Sequence, residues 1–266
     1  MRKIRAIFYE KPEDAYYNLA VEEAIPRALS LGYGKPTIRF FRNENAVIIG
    51  YFQYAEREVN LREAELLKVQ VVRRFTGGGA VYHDLGNLNY AISLPFTKII
   101  PTDIVEYYRF FLKPIVNALK SLGATNASLG GLNDLNIETR KVGGTAASRK
   151  WGVAFFHGTL LINTNLETMA RLLTPPLEKL KDKGATRIRE RVVNLSEILG
   201  SIKIEEVVDA IIREFEKTFE AQIEWKDDLT EKELSLAEKL YAYKYTNKEW
   251  NYRRKPSSFF DKTIFG

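Results

Sequence analysis

The sequence predicts an α/β or α+β protein, because β-branched and aromatic runs interleave with amphipathic helical patterns along its length. Two further observations fit that class: 266 residues with 45% hydrophobic and 28% charged content, and no internal repeat, heptad array or low-complexity tract. Arg5–Tyr9 reads as a first strand, and Asp14–Leu29 as a helix that Pro26 ends or kinks. Thr37–Arg42 and Ala46–Gly50 have strand composition and are expected to pair as a hairpin across Asn43–Asn45. Asn60–Leu67 is helical, Val69–Arg74 is a short strand entering a glycine run, and Leu88–Leu94 is a strand closed by Pro95. The clearest helix is Asp103–Leu119, where apolar residues recur on one face from Ile104 to Leu119. Thr102 is its expected cap and Pro114 its expected bend. Strands are expected over Leu132–Ile137 and Val153–Ile162, and a long basic loop over Pro175–Arg191. Ile204–Phe219 and Thr230–Tyr245 complete the set as helices.

Composition excludes several chemistries. With no Cys there is no disulfide framework, no Cys-ligated zinc, no iron–sulfur cluster and no thiol nucleophile. Two His cannot alone build a three-His metal site. The N-terminus becomes charged too soon for a signal peptide, and no apolar run approaches the ~20 residues of a membrane span. A cytoplasmic protein with no membrane partner is the expectation. The 40 Lys+Arg against 34 Asp+Glu leave a formal charge of +6, which suits an anionic partner or ligand.

Four clusters could carry chemistry. The first is Arg73-Arg74-Phe75-Thr76-Gly77-Gly78-Gly79-Ala80-Val81-Tyr82-His83-Asp84-Leu85-Gly86-Asn87. Three glycines let backbone N–H groups approach an anion, two arginines add bidentate donors, and His83 and Asp84 follow closely enough to face one cavity. The run is neither a P-loop, lacking Gly-Lys-Ser/Thr, nor a GxGxxG turn. Read alone, it is also compatible with a tight turn between strands. The second cluster, Gly130-Gly131-Leu132-Asn133-Asp134, is a turn or a polar cavity rim. In the third, Arg140-Lys141-Val142-Gly143-Gly144-Thr145-Ala146-Ala147, the lysine is either an ordinary solvated surface residue or a cation beside small residues that leave room for a ligand. The fourth, Phe155-Phe156-His157-Gly158-Thr159-Leu160-Leu161, holds a His among aromatics, in core or in site.

Together, in this order, the clusters resemble the lipoate–protein ligase family. Lys183-Gly184, Arg189–Leu195 and Lys248-Glu249-Trp250-Asn251-Tyr252 extend the resemblance over nearly the whole chain. The resemblance implies mixed β-sheets flanked by helices, the catalytic fold shared with biotin–protein ligases. It also implies a two-step reaction: lipoate and ATP give lipoyl-AMP, and a lysine of an acceptor protein then takes the lipoyl group. Lys141 is thereby placed between the acyl carboxyl and the α-phosphate as the catalytic cation. ATP and lipoyl-AMP binding falls to Arg74, Thr76, Gly77, Gly78, Gly79, Ala80, Val81, Tyr82, Asn133, Asp134, Lys141, Gly144, Ala146, Gly158 and Thr159. Phe41, Val81, His83 and His157 are implied to line the lipoyl pocket. Asp134 is a candidate for Mg2+ or for the proton of the incoming amine. The loop 173–191 is implied to fold over the adenylate. The implied acceptors are lipoyl domains of 2-oxo-acid dehydrogenase E2 subunits and the glycine-cleavage H protein, with no nucleic acid involved.

On this resemblance residues 1–266 are one catalytic domain with a C-terminal helical extension over 230–266. Longer family members carry an accessory C-terminal domain, which is not expected here, so a separate small accessory subunit is expected for adenylation. Three alternatives stay open. Octanoyl transfer on the same fold would need another route than a Cys thioester, since Cys is absent. Biotin ligation fits the glycine-rich string less well. The third is a non-enzymatic lipoate- or nucleotide-binding protein.

Overall fold

The computed structural model describes residues 2–174, 190–226 and 228–265. Its strands divide between two sheets. The larger contains β1 (Arg2–Phe8), β2 (Thr37–Phe41), β6 (Asn87–Pro95), β7 (Ala127–Gly130), β8 (Asp134–Ile137), β9 (Arg140–Ser148), β10 (Val153–Leu161) and β11 (Ala221–Trp225) in the spatial order 11-1-2-6-10-9-8-7. β1 runs parallel to both β11 and β2, and the remaining pairs are antiparallel. The smaller sheet centres β3 (Asn45–Ile49) between β4 (Gln70–Arg73) and β5 (Val81–Asp84).

The expected hairpin is therefore corrected: Thr37–Phe41 and Asn45–Ile49 lie in different sheets. Both strands are almost wholly buried, and each satisfies its backbone between two neighbours of its own sheet. The connection is a corner, not a turn. Asn43 is buried there, accepting from Asn18 Nδ2 (2.8 Å) and reaching His83 Nδ1 (3.0 Å).

One face of the large sheet packs on α4 (Ile104–Ser121) and α7 (Ile204–Phe219), which also pack on each other. Phe40, Tyr90, Ile92, Phe156 and Leu160 point into this cluster. Asp103, not Thr102, caps α4, because its Oδ1 accepts from both Val105 and Glu106 N–H at 3.0 Å. α4 runs through Pro114, as does α1 (Ala15–Ser30) through Pro26. In α1, thirteen of sixteen residues are buried, so packing outweighs the one lost helical hydrogen bond.

Smaller helices fill the edges: α2 (Ala55–Glu58), α3 (Leu61–Leu66), α5 (Leu166–Leu172) and α6 (Leu195–Leu199). Asn60 caps α3, with its side chain accepting from Glu63 N–H. The segment expected as a strand from Leu132 starts at Asp134, and Leu132 is exposed in the preceding turn. β5, β7, β9 and β11 are strands beyond those expected from local pattern. The expected basic loop falls mostly on 175–189, outside the described residues.

α8 (Glu231–Leu240) is capped by Thr230 and ends in a π-helical turn over Tyr241–Tyr245, followed by α9 (Lys248–Asn251) and α10 (Ser257–Phe265). This extension docks on α1 through a buried charge cluster. Lys244 Nζ lies 3.0 and 2.7 Å from the two Glu23 oxygens, Tyr245 Oη donates to Glu23 at 2.6 Å, and Arg27 bridges Glu23 to Asp261. Burial pushes the Glu23 carboxyl up, but Lys244 and Arg27 beside it overcome that and hold it at about 2.

Removing one partner of such a pair leaves the other charge buried and alone. Lys244→Met is expected to lose about 3–5 kcal/mol in urea denaturation. Adding Glu23→Gln to that variant recovers part of the loss, whereas strictly additive losses would contradict a coupled pair.

Candidate active site

Strand alternation on the other face of the large sheet builds the floor of a cleft. Phe41, Asn89, Thr159 and Gly144 stand opposite one another across β2, β6, β10 and β9, and Arg39, Ala91, His157 and Ala146 form the next row. Leu19 and Glu22 of α1 cover this floor, and Ile48, Val81 and His83 of the small sheet close it. The cleft is open to solvent, with about 600 Å3 of space between its walls and its mouth.

Lys141 reaches the cleft through an irregularity in β9. In a regular strand, residues three apart face opposite sides. Here the β8–β9 register shifts at Leu135/Asn136, so Leu135 faces Gly143 while Asn136 faces Lys141. Val142 goes into the core, and Lys141 and Gly144 come to the same side. A Cβ on Gly144 would sit 2.9 Å from Lys141 Nζ. The ammonium bonds Asp134 Oδ1 at 2.7 Å in a half-exposed pair. The Lys141 carbonyl accepts from Val193 N–H at 2.9 Å, which ties β9 to the segment beyond residue 189.

The glycine run is shaped from within. Arg74 donates to the Gly77 carbonyl through Nε and Nη2 (3.0 and 2.7 Å), to Gly79 O (2.8 Å) and to Ile48 O (3.3 Å). Its guanidinium thus braces the loop with most of its donors. Burial lowers its pKa to about 10, against the opposing pull of Glu22, so it stays charged. Gly78 needs its missing side chain twice over: φ is +93°, and a Cβ would come 2.7 Å from Arg74 Nη2.

The two histidines differ in their surroundings. His157 is held at both nitrogens, Nδ1 by Glu22 Oε1 (2.9 Å) and Nε2 by Thr76 Oγ1 (2.8 Å). It thereby ties α1 to the loop. His83 Nδ1 accepts from Asn43 Nδ2, which leaves Nε2–H as the donor on the cleft side. Burial, and then Arg74 and His157, push the His83 imidazole down to about 3, so it is neutral at pH 7.

Of the residues expected at the site, the cleft is lined by Phe41, Arg74, Gly79, Ala80, Val81, His83, Asn133, Lys141, Gly144, Ala146, His157, Gly158 and Thr159. Gly158 is small because the Tyr90 hydroxyl occupies the place of its Cβ. Thr76, Gly77, Gly78 and Asp134 sit one contact behind. Tyr82 is turned away into the cluster around Val47 and Ile49. Asp84 does not share the cavity of His83, since neighbours on a strand point oppositely; it accepts from Gly86 and Asn165 N–H instead. Among the described residues no group of three or more His, Cys, Asp or Glu could hold a metal, and Asp134 Oδ1 is engaged by Lys141, so the protein residues alone do not make a Mg2+ cradle. Leu19, Glu22, Ile48, Asn89 and Thr145 line the cleft beyond those expected. The adjacent Glu22 and Glu23 in an otherwise apolar helix were a readable signal for one of them.

Residues 14–216 match the family model of the lipoyl protein ligase A/B catalytic domain. The chain belongs to this family. Solved structures of lipoate–protein ligases superpose closely on it. One is from an archaeal lipoylation system of Thermoplasma acidophilum, described as a bi-partite lipoate protein ligase and its E2 lipoyl domain. It is 38% identical, with a TM-score of 0.86 over 96% of this chain and 98% of that one. A second T. acidophilum structure, with bound lipoic acid, is 34% identical at a TM-score of 0.84, over 95% of this chain and 99% of that one. A lipoate–protein ligase A bound with ATP is 34% identical at 0.83, over 96% and 100%. Among the described residues of this ligase-family chain, no helix is long and apolar enough to cross a membrane.

The depressed His83 pKa has a signed consequence. Above pH 6.5 folded and unfolded chains both carry a neutral His83; below it only the unfolded chain binds the proton, so stability falls by roughly 1.4 kcal/mol per pH unit down to about pH 3. His83→Gln removes this component. Its urea midpoint should decline less steeply than wild type between pH 6 and pH 4, and parallel curves would contradict a buried neutral imidazole.

Proposed function

We propose that the chain activates lipoate with ATP and transfers the lipoyl group to a lysine of an acceptor lipoyl domain. The observation that carries this reading is Lys141, whose ammonium stands over Gly144 at the polar end of a cleft that turns apolar towards Leu19, Phe41 and Ile48. The lipoate-bound and ATP-bound relatives support both substrates, and the bi-partite relative with its E2 lipoyl domain supports the acceptor class.

In the first step a lipoate carboxylate oxygen attacks the α-phosphorus of ATP, supplied as its magnesium complex, and pyrophosphate leaves. Two anions must meet, so a cation at the point of contact lowers the barrier. Lys141 is that cation, with the Arg74-braced glycine run supplying N–H groups beside it. In the second step the acceptor lysine nitrogen attacks the acyl carbonyl and AMP leaves. Lys141 then holds the carbonyl oxygen as charge builds. In this reading Asp134, paired with Lys141 at 2.7 Å until the incoming carboxylate displaces it, takes the proton of the acceptor amine, which at pH 7 is neutral in only about one molecule in a thousand. The E2 lipoyl domains and the glycine-cleavage H protein are the acceptors in this reading. A separate small accessory subunit assists the first step.

Lys141→Ala is expected to lower transfer from lipoyl-AMP to an apo lipoyl domain about 10²–10³-fold, read by mass spectrometry; near-normal turnover would contradict its role. With the purified chain alone, transfer from supplied lipoyl-AMP should proceed while lipoyl-AMP formation from lipoate and ATP is slow. Robust formation without another protein would remove the accessory subunit from the account.

A further inference from the structure

Asn89 is an anomaly on the cleft floor. It is 3% exposed, it lines the cleft, and its Nδ2 is buried with no hydrogen-bond partner among the described residues. Such orphaned donors are rare, because a buried N–H without an acceptor is costly. The rest of the amide is engaged: Asn87 Nδ2 donates to Asn89 Oδ1 at 3.0 Å, and the Thr159 hydroxyl donates to Asn87 Oδ1. The chain of three side chains leaves the Asn89 amide nitrogen, with both of its N–H donors, in the cleft wall for an acceptor that a ligand would bring.

Register locates that donor. Asn89 lies two strands from Gly144 along a single row, and Lys141 Nζ stands over Gly144. At about 4.8 Å per strand, Asn89 is about 10 Å from the strand carrying the ammonium. An acid held by Lys141 at its carboxylate and extending along the row gains roughly 1.2 Å per bond. Its sixth atom beyond the carboxyl carbon, with about 3 Å for the ammonium contact, therefore falls beside Asn89. In lipoate the fifth atom is the ring carbon that bears both a sulfur and a methylene, so this sixth position offers a sulfur, a weak acceptor; in octanoate, of equal chain length, it offers only a methylene carbon.

We infer that Asn89 is a specificity-determining residue, whose Nδ2–H recognises the sulfur end of the acyl chain and favours lipoate over octanoate. The inference rests on the proposed placement of the carboxyl end at Lys141. Octanoate leaves the donor unpaired, whereas lipoate satisfies it.

The test measures kcat/KM for transfer from lipoyl-AMP and from octanoyl-AMP to one apo lipoyl domain, using wild type, Asn89→Leu and the smaller Asn89→Ser. Wild type is expected to prefer lipoyl-AMP by about tenfold, the scale of one unpaired buried donor. In both variants the ratio should fall towards one, chiefly through a rise in KM for lipoyl-AMP. A wild type that uses both adenylates equally, or variants in which both activities drop together with the ratio kept, overturns the assignment while the ligase reading stands. A wild type that transfers neither acyl group removes the ligase reading and this assignment with it.

Discussion

Two consecutive buried guanidiniums, Arg73 and Arg74, organise the molecule, and among the described residues neither is ion-paired to a carboxylate. Each is satisfied by backbone carbonyls instead. Arg73 donates to Gly50, Tyr51, Gln53, Trp250 and Asn251, while its own N–H and carbonyl bond the Asn251 and Trp250 side chains. Arg74 does the same for the glycine run. Carbonyl dipoles fixed around a buried cation resist rearrangement, because each loop that moves leaves the charge less solvated. One pair of neighbours therefore locks the C-terminal extension to β4 on one side and shapes the glycine-rich loop on the other. The extension far along the chain thereby becomes part of the site's scaffold.

The cleft also owes its chemistry to a gradient along one row of the sheet. At one end a bulged strand delivers an ammonium over a glycine; at the other, Phe41 lies under the Arg39 guanidinium, 4.1 Å from its ring centroid. Between them lie Thr159 and Asn89. The ridge of α1 above contributes Glu22, whose Oε1 holds His157 and whose Oε2 has no partner among the described residues.

Much of the fold was legible from local pattern. The long amphipathic helices and the strands β6 and β10 lie within a residue or two of their expected bounds, because their signals were strong and unopposed. The hairpin was not legible, since composition marks a strand without naming its partner, and each of the two strands is paired between two others of its own sheet. β9 was hidden for a different reason. Its Gly-Gly-Thr-Ala-Ala stretch has little intrinsic strand preference and is held by neighbours on both sides. At the site, motif order brought most lining residues into view. It did not show that alternation sends Tyr82 and Asp84 away from His83, nor that Asn89, in an unremarkable strand, would present an unpaired donor.

The central claim is that Lys141 holds the acyl carboxyl end while the apolar tail runs along the row towards Phe41. A crystal structure with a non-hydrolysable sulfamoyl analogue of lipoyl-AMP tests this most directly. The account predicts the acyl carbonyl oxygen within hydrogen-bond distance of Lys141 Nζ, with the dithiolane ring enclosed between Phe41 and His83. An analogue bound with its tail outside the cleft, or with Lys141 still on Asp134 and out of reach of the carbonyl, would contradict it.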